Sequence, residues 1–287
     1  MQQPAVDALI ELLDLEAIEV NIFRGNSPDE NRQRVFGGQV AGQALVAASR
    51  TIEADHRVHS LHAYFLRPGD PTVPILYEVD RVRDTKSFTT RRVLAVQHGQ
   101  PIFGLSASFH QLEEGFDHQF DMPVGLPEPE TLDDFSVRLA PWANLLGDWY
   151  TQPRAIDTRY CDWHPPTDTS AHPPYENVWF KANGVLPDDP VLHACIATYA
   201  SDLTVLDTAV QPHGGSGLGK VFMASLDHAM WFHRPFRADE WLLYAQDTPS
   251  ASNGLGLGRG LMYTQTGELV VSVVQEGLIR PMRGERE

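Results

Sequence analysis

The chain has 287 residues, with 22 Lys and Arg against 38 Asp and Glu, a formal charge of −16 at neutral pH and 42% hydrophobic residues. That length predicts two domains or one large one, and a chain of this size buries about 75% of its unfolded surface without metal or disulfide staples. The acidic excess argues against nucleic acid or an anionic membrane as the main partner, because both call for a cationic footprint.

At the N-terminus, residues 1–7 carry no basic run and lead into an acidic amphipathic segment with Leu9, Leu12, Leu13, Leu15 and Ile18. This is not the pattern of a signal peptide. Residues 35–52 place Ala41, Ala44, Leu45, Ala48 and Ile52 at helical spacing, while Gly38, Gly42 and Ala47 keep the other side small. A helix apolar or small nearly all round is enclosed by the fold. Its uncharged stretch, 35–49, is too short and too polar to span a bilayer. Strand-like alternation follows at 59–67, 75–82, 89–96 and 102–112, with a turn at Gln97-His98-Gly99-Gln100.

Residues 113–174 are rich in Pro, Asp and His and show little sustained periodicity. They predict a long connection over the surface. Cys161, His164 and His172 within it resemble a metal cluster only loosely, lacking the second Cys or His pair of a zinc site. With only Cys161 and Cys195 in the chain, no disulfide framework is available, and a reducing cytoplasm is the expected compartment. The C-terminal Glu285-Arg286-Glu287 is no peroxisomal address.

Asp188-Asp189-Pro190 opens a second buried helix with Val191, Leu192, Cys195, Ile196, Tyr199 and Leu203 inside. Strands are then expected at 225–234, 240–246, 255–263 and 269–279, with a turn at Gln265-Thr266-Gly267-Glu268. Gly254, Gly256, Gly258 and Gly260 alternate along one of them. They do not form a dinucleotide fingerprint. The alternation strips one strand face of side chains, so that either the buried helix or a ligand approaches the backbone.

The two halves repeat. Tyr64-Phe65-Leu66-Arg67-Pro68 recurs as Trp231-Phe232-His233-Arg234-Pro235 at an offset of 167, and Arg91, Gln97 and Gly99 recur as Arg259, Gln265 and Gly267 at 168. The organisation is therefore a domain at 1–115, a Pro-rich linker at 116–174 and a second copy at 175–287. A buried helix followed by an antiparallel sheet that curls around it is the α+β hot-dog architecture, here in tandem as a double hot-dog.

Three polar residues stand where the pattern asks for apolar ones. Asp202 lies at helical spacing from Val191, Cys195 and Thr198; Ser225 shares a strand face with Asp227, Ala229 and Trp231; Gln275 shares one with Leu269, Val271 and Val273. Each has a plain alternative, as a helix cap, an edge hydroxyl and a solvent-facing amide. The repeat weighs against these alternatives. Ser225 corresponds to Val58 and Gln275 to Ala107, so the scaffold works with apolar residues at both places and a site in one copy is the better explanation.

Other chemistries fit less well. No Gly-x-Ser-x-Gly elbow surrounds Ser216, Ser225 or any other Ser, and simple alternation puts Ser225 and His228 on opposite strand faces. Gly25-Asn26-Ser27-Pro28-Asp29 is a poor match to the Asp- and His-bearing run of a hot-dog enoyl-CoA hydratase. His59 and His62, three apart in a strand, face opposite sides.

Val35-Phe36-Gly37-Gly38-Gln39, the run from Val58-His59-Ser60 through Phe65-Leu66-Arg67-Pro68-Gly69-Asp70, Tyr199-Ala200-Ser201-Asp202-Leu203, the run from Asp227 to Phe236 and Val274-Gln275-Glu276-Gly277 together resemble the acyl-CoA thioesterase II (TesB) family. The resemblance spans both copies. It implies hydrolysis of fatty acyl-CoA to free acid and CoA without metal or organic cofactor, a catalytic group of Asp202, Ser225 and Gln275, and further homo-oligomers. Thr85, in Arg83-Asp84-Thr85-Lys86-Ser87-Phe88, stands where members often carry Gly. A non-catalytic acyl-CoA-binding module is the competing reading. Asp202 would be the base for a water held by Ser225 and Gln275, with oxyanion donors expected among backbone N–H groups near Gly37-Gly38. For the CoA phosphates the candidate cations are Arg67, Arg83, Arg91, Arg234 and Arg259, expected as one cationic patch on an otherwise negative surface.

Overall fold

The computed structural model describes residues 1–28, 33–214 and 221–282. Asp29, Ser216 and the C-terminal Glu285-Arg286-Glu287 lie outside the described residues. The first half contains helix α1 (Gln3–Leu13), strands β1 (Glu16–Glu19) and β2 (Ile22–Gly25), helix α2 (Gly37–Ser49) and strands β3 (His56–Phe65), β4 (Ile75–Asp84), β5 (Phe88–Gln97) and β6 (Gln100–Gln111). The turn between β5 and β6 has His98 at φ 50° and Gly99 at φ 69°, the pair of left-handed residues that a two-residue hairpin needs.

The Pro-rich stretch holds three short helices, α3 (Phe135–Leu139), α4 (Ala143–Leu146) and α5 (Asp148–Thr151), and strand β7 (Ile156–Tyr160). β7 pairs with β8 (Tyr175–Ala182), so part of this stretch extends a sheet edge. Helix α6 (Pro190–Ser201) follows, its N-terminus capped by the Asp189 side chain, which accepts from Val191 N–H at 2.9 Å. Then come β9 (Val221–Ser225), β10 (Asp227–Phe232), β11 (Leu242–Ser252), β12 (Leu255–Thr264) and β13 (Leu269–Pro281).

Among the described residues thirteen strands form one antiparallel sheet ordered β1-β2-β4-β5-β6-β3-β10-β13-β12-β11-β8-β7, with β9 paired to β13. The two repeats meet at β3 and β10, the strands whose last two residues begin the recurring pentapeptides. Their register pairs Ser60 with Trp231, His62 with Ala229 and Tyr64 with Asp227. At the repeat offset His62 and Ala229 are equivalent positions, so each half meets the other through the same residues. This is the self-complementary pairing of a twofold axis, realised within one chain.

The two buried helices pack antiparallel. A Cβ on Gly38 would lie 2.4 Å from the Tyr199 carbonyl oxygen, and one on Gly42 would lie 3.3 Å from that of Cys195. The small face of α2 is thus the seam with α6, while Val40, Ala41, Ala44 and Leu45 are buried alongside it. The glycine face of β12 is covered by protein: Val205 lies against Gly258, Ala209 and Ile279 against Gly256, and the Tyr244 ring against Gly260. Both cysteines are free thiols. No described helix is long and apolar enough to cross a membrane.

Candidate active site

Asp202, Ser225 and Gln275 converge at one end of the helix pair. Asp202 is the residue that ends α6, with φ −87° and ψ 0°. Gln275 is fully buried on β13, and Ser225 is the last residue of β9. The Gln275 amide Nε2 donates to Asp202 Oδ1 at 2.8 Å and to Ser225 Oγ at 2.8 Å, and Ser225 Oγ donates to Asp202 Oδ1 at 3.2 Å. The three residues close a ring of hydrogen bonds in which each atom's role is fixed, since a carboxylate only accepts.

The first repeat completes the site. The backbone N–H of Gly38 donates to the Asp202 carboxylate, and a Cβ on Gly37 would lie 2.7 Å from Asp202 Oδ2. Glycine here is required for close approach. The first turn of α2, with its free N–H groups and partial positive charge, therefore faces the carboxylate. Of the N–H groups near Gly37-Gly38, where the sequence predicts oxyanion donors, the one on Gly38 is directed at Asp202.

Burial pushes the Asp202 carboxyl above its ordinary value, against the opposing pull of His228, Gln275, Ser225 and the Gly38 N–H. Burial thus makes this carboxylate a stronger base than a solvated one, as suits a general base.

His228 is the member of this cluster that strand alternation hides. It is 1% exposed, its Nδ1 is bonded to Gln275 Oε1, and its Nε2 lies 2.8 Å from Ser201 Oγ. The amide oxygen cannot donate, so Nδ1 carries the proton, while Ser201 Oγ lies between His228 Nε2 and the Thr198 carbonyl, which is 2.9 Å away. Burial also pushes the ring below the usual histidine range, keeping it neutral.

The expectation that Ser225 and His228 occupy opposite faces is corrected by a β-bulge. Ser225 pairs with Gly277, whereas Ala229 pairs with Val274. Leu226 and Asp227 both face Glu276, Leu226 donating to its carbonyl and Asp227 accepting from its N–H. One extra residue turns both Ser225 and His228 toward Gln275. The His228 nitrogens are nevertheless taken by Gln275 and Ser201, an arrangement unlike that of a nucleophilic serine and its base.

The other sequence candidates lie elsewhere. Arg91 is 1% exposed and bonds Thr51 and Asp84, so it is an internal strut. Arg259 pairs with Asp247, Arg234 with Asp117 and the Leu269 carbonyl, and Arg67 with the Pro101 carbonyl. Arg83 alone of the five makes no side-chain bond among the described residues. His164 and His172 stack at 3.4 Å beside Asp168, and these three, without Cys161, offer ligand atoms within 4.8 Å of one another.

Comparison with known proteins shows the family. Residues 164–278 match the family model described as acyl-CoA thioesterase, and residues 27–110 match the acyl-CoA thioesterase N-terminal domain. The chain is 42% identical to human acyl-coenzyme A thioesterase 8 over 94% of its own length and 88% of that protein's. It is 41% identical to acyl-CoA thioesterase 2 of Haemophilus influenzae over 95% and 96% of the two chains. The crystal structure of acyl-CoA thioesterase II TesB2 from Mycobacterium marinum superposes with a TM-score of 0.80 at 46% identity, covering 96% of this chain and 99% of that one. The chain belongs to the acyl-CoA thioesterase II (TesB) family and has its double hot-dog fold.

Proposed function

We propose that this acyl-CoA thioesterase hydrolyses fatty acyl-CoA with a water activated by Asp202 and held by Ser225 and Gln275. The observation that carries the reading is the closed ring of hydrogen bonds joining the three residues, built where the other copy has Val58 and Ala107. The Ser225–Asp202 contact is the longest of the three, at 3.2 Å. It is the link that a water replaces most readily, receiving the Ser225 proton and giving its own to the carboxylate.

In this mechanism the water oxygen attacks the thioester carbonyl carbon while its proton passes to Asp202. The tetrahedral intermediate collapses with cleavage of the C–S bond, and the departing CoA sulfur takes the proton back from Asp202. The products are a fatty acid and CoA, and the enzyme returns to its starting state. The Gln275 amide, with its two N–H groups on Asp202 and Ser225, keeps the base and the hydroxyl turned toward the water throughout, and the neutral His228 holds that amide in place.

Release of free thiol from a panel of acyl-CoAs tests the reading. Asp202→Asn should lower turnover by about 10²- to 10⁴-fold, the range of a positioned general base. Undiminished turnover in that variant would remove Asp202 from the mechanism. Binding of acyl-CoA by the native protein with no thiol release would favour the non-catalytic module.

A further inference from the structure

The antiparallel helix pair has a second end. Opposite Asp202, the C-terminal side of α2 and the N-terminal side of α6 border a cavity of about 940 Å³, with Ile52, Val58, Pro190 and Val191 among its lining residues. That volume lies in the range of small-molecule sites. Val58 is the repeat counterpart of Ser225, so this cavity is the twofold image of the Asp202 site. It lacks that site's polar pair, since Ala107 stands in place of Gln275.

Two histidines distinguish the cavity from a packing gap. His193, 2% exposed, lines it and accepts from the Ala238 N–H through Nδ1 at 3.0 Å. Burial and the neighbouring Arg237 push this ring below the usual histidine range, so it is neutral and its proton sits on Nε2. His56, 4% exposed, also lines the cavity, with Nδ1 bonded to the Asp55 carboxylate at 2.9 Å. In both rings Nε2 is buried without a partner among the described residues. Two orphaned buried polar atoms in residues lining one cavity point to an absent ligand.

The remaining lining indicates the kind of ligand. Val58, Phe109 and Phe232 supply apolar wall. Asp188 and Asp239 are held by Arg237, and Glu268 by Arg234. Glu240 also lines the cavity, while Arg57 bonds the carbonyls of Ala54 and His56 and Lys181 lies 4.5 Å over the Trp241 ring. Neither of these two cations has a carboxylate partner among the described residues, on a chain whose formal charge is −16. An apolar wall beside unneutralised cations and an unused imidazole N–H suits an amphipathic anion.

We propose that this cavity is a second, non-hydrolytic site for a long-chain carboxylate, with the chain against Val58, Phe109 and Phe232 and the carboxylate served by Arg57 and Lys181 beside the His193 ring. The class is that of the product assigned above, but occupancy of this cavity does not depend on Asp202.

Calorimetric titration of the full chain with dodecanoate, beside dodecanol, provides the test. The native protein should bind dodecanoate saturably and at least about tenfold more tightly than dodecanol. Val58→Trp fills the cavity and should remove one binding equivalent per chain or weaken it at least about tenfold, with the thermal melt confirming that the variant is folded. Arg57→Ala with Lys181→Ala should reproduce the loss without adding bulk. Asp202→Asn should leave this binding intact even where it abolishes turnover, which separates failure of this proposal from failure of the mechanism. Absence of saturable dodecanoate binding, equal affinity for the alcohol, or native binding in both cavity variants would overturn it.

Discussion

His228 and Gln275 face one another across β10 and β13, and the His228 Nδ1–H donates to the Gln275 amide oxygen. This contact decides which end of the amide meets Asp202. With the oxygen held by the ring, Nε2 is left for Asp202 and Ser225. A flipped amide would set its oxygen against the carboxylate and lose both bonds. His228→Phe should therefore lower kcat by about 10- to 100-fold, equivalent to one or two multiples of 1.4 kcal/mol, with a smaller change in KM. His228→Asn retains an N–H donor and should recover part of the loss. Steady-state kinetics of both variants, with melting temperatures, would show a positioning role as a kcat defect that tracks the donor rather than stability.

The same cluster sets the acid limb of the rate profile. Asp202 works as a base only when ionised, and burial raises its pKa above the usual range. Activity should thus fall on acidification, with a midpoint above the ordinary carboxylate range. Gln275→Leu removes a hydrogen bond that favours the carboxylate, so its midpoint should lie higher still. A pH profile of kcat/KM for the two proteins checks the direction. A midpoint lowered by Gln275→Leu would contradict the assigned hydrogen bonds.

Much of this arrangement is legible in the sequence because burial leaves a periodic trace. The all-round apolar or small faces of α2 and α6 predict enclosed helices, and the recurring pentapeptides prove to begin at the ends of the two strands joined at the twofold axis. Asp202, Ser225 and Gln275 stand out because they are polar where the other copy is apolar or the pattern demands it. His228 does not stand out, because period-two counting from Ser225 assumes an unbroken strand and the bulge at Leu226 and Asp227 breaks it. β7 is similarly hidden, a five-residue edge strand among prolines that gains its order from pairing with β8. The contact between Gly38 and Asp202 depends on how two helices distant in the chain are placed end to end. No local period records that.

Gly38 gives a direct test of the helix seam. An added Cβ would lie 2.4 Å from the Tyr199 carbonyl oxygen, a backbone atom that cannot rotate away. Gly38→Ala should destabilise the protein by about 1–3 kcal/mol through overpacking and shift the N–H that Asp202 uses. Gly104→Ala is the control: it would meet only Leu94 Cδ2, at 3.5 Å, and should change stability by no more than about 0.5–1 kcal/mol. Urea unfolding of the two variants should separate them clearly, and comparable midpoints would refute a tight α2–α6 contact.

A second buried carboxyl governs stability away from neutral pH. Glu176 on β8 is 4% exposed, its Oε2 has no partner among the described residues, and burial, reinforced by Asp207, pushes it up to about 8. Its folded form therefore holds a proton that the unfolded chain releases near 4.5. The protonated group's contribution is fully present below that value and is lost progressively as pH rises to about 8. The loss is at most about 1.4 kcal/mol per pH unit. Glu176→Gln keeps the shape and the neutral state, so its stability should not fall across this window on account of residue 176. Melting temperatures from pH 5 to 9 should show the variant gaining on the native protein as pH rises. A constant difference between the two would mean that Glu176 is ionised in the folded protein throughout.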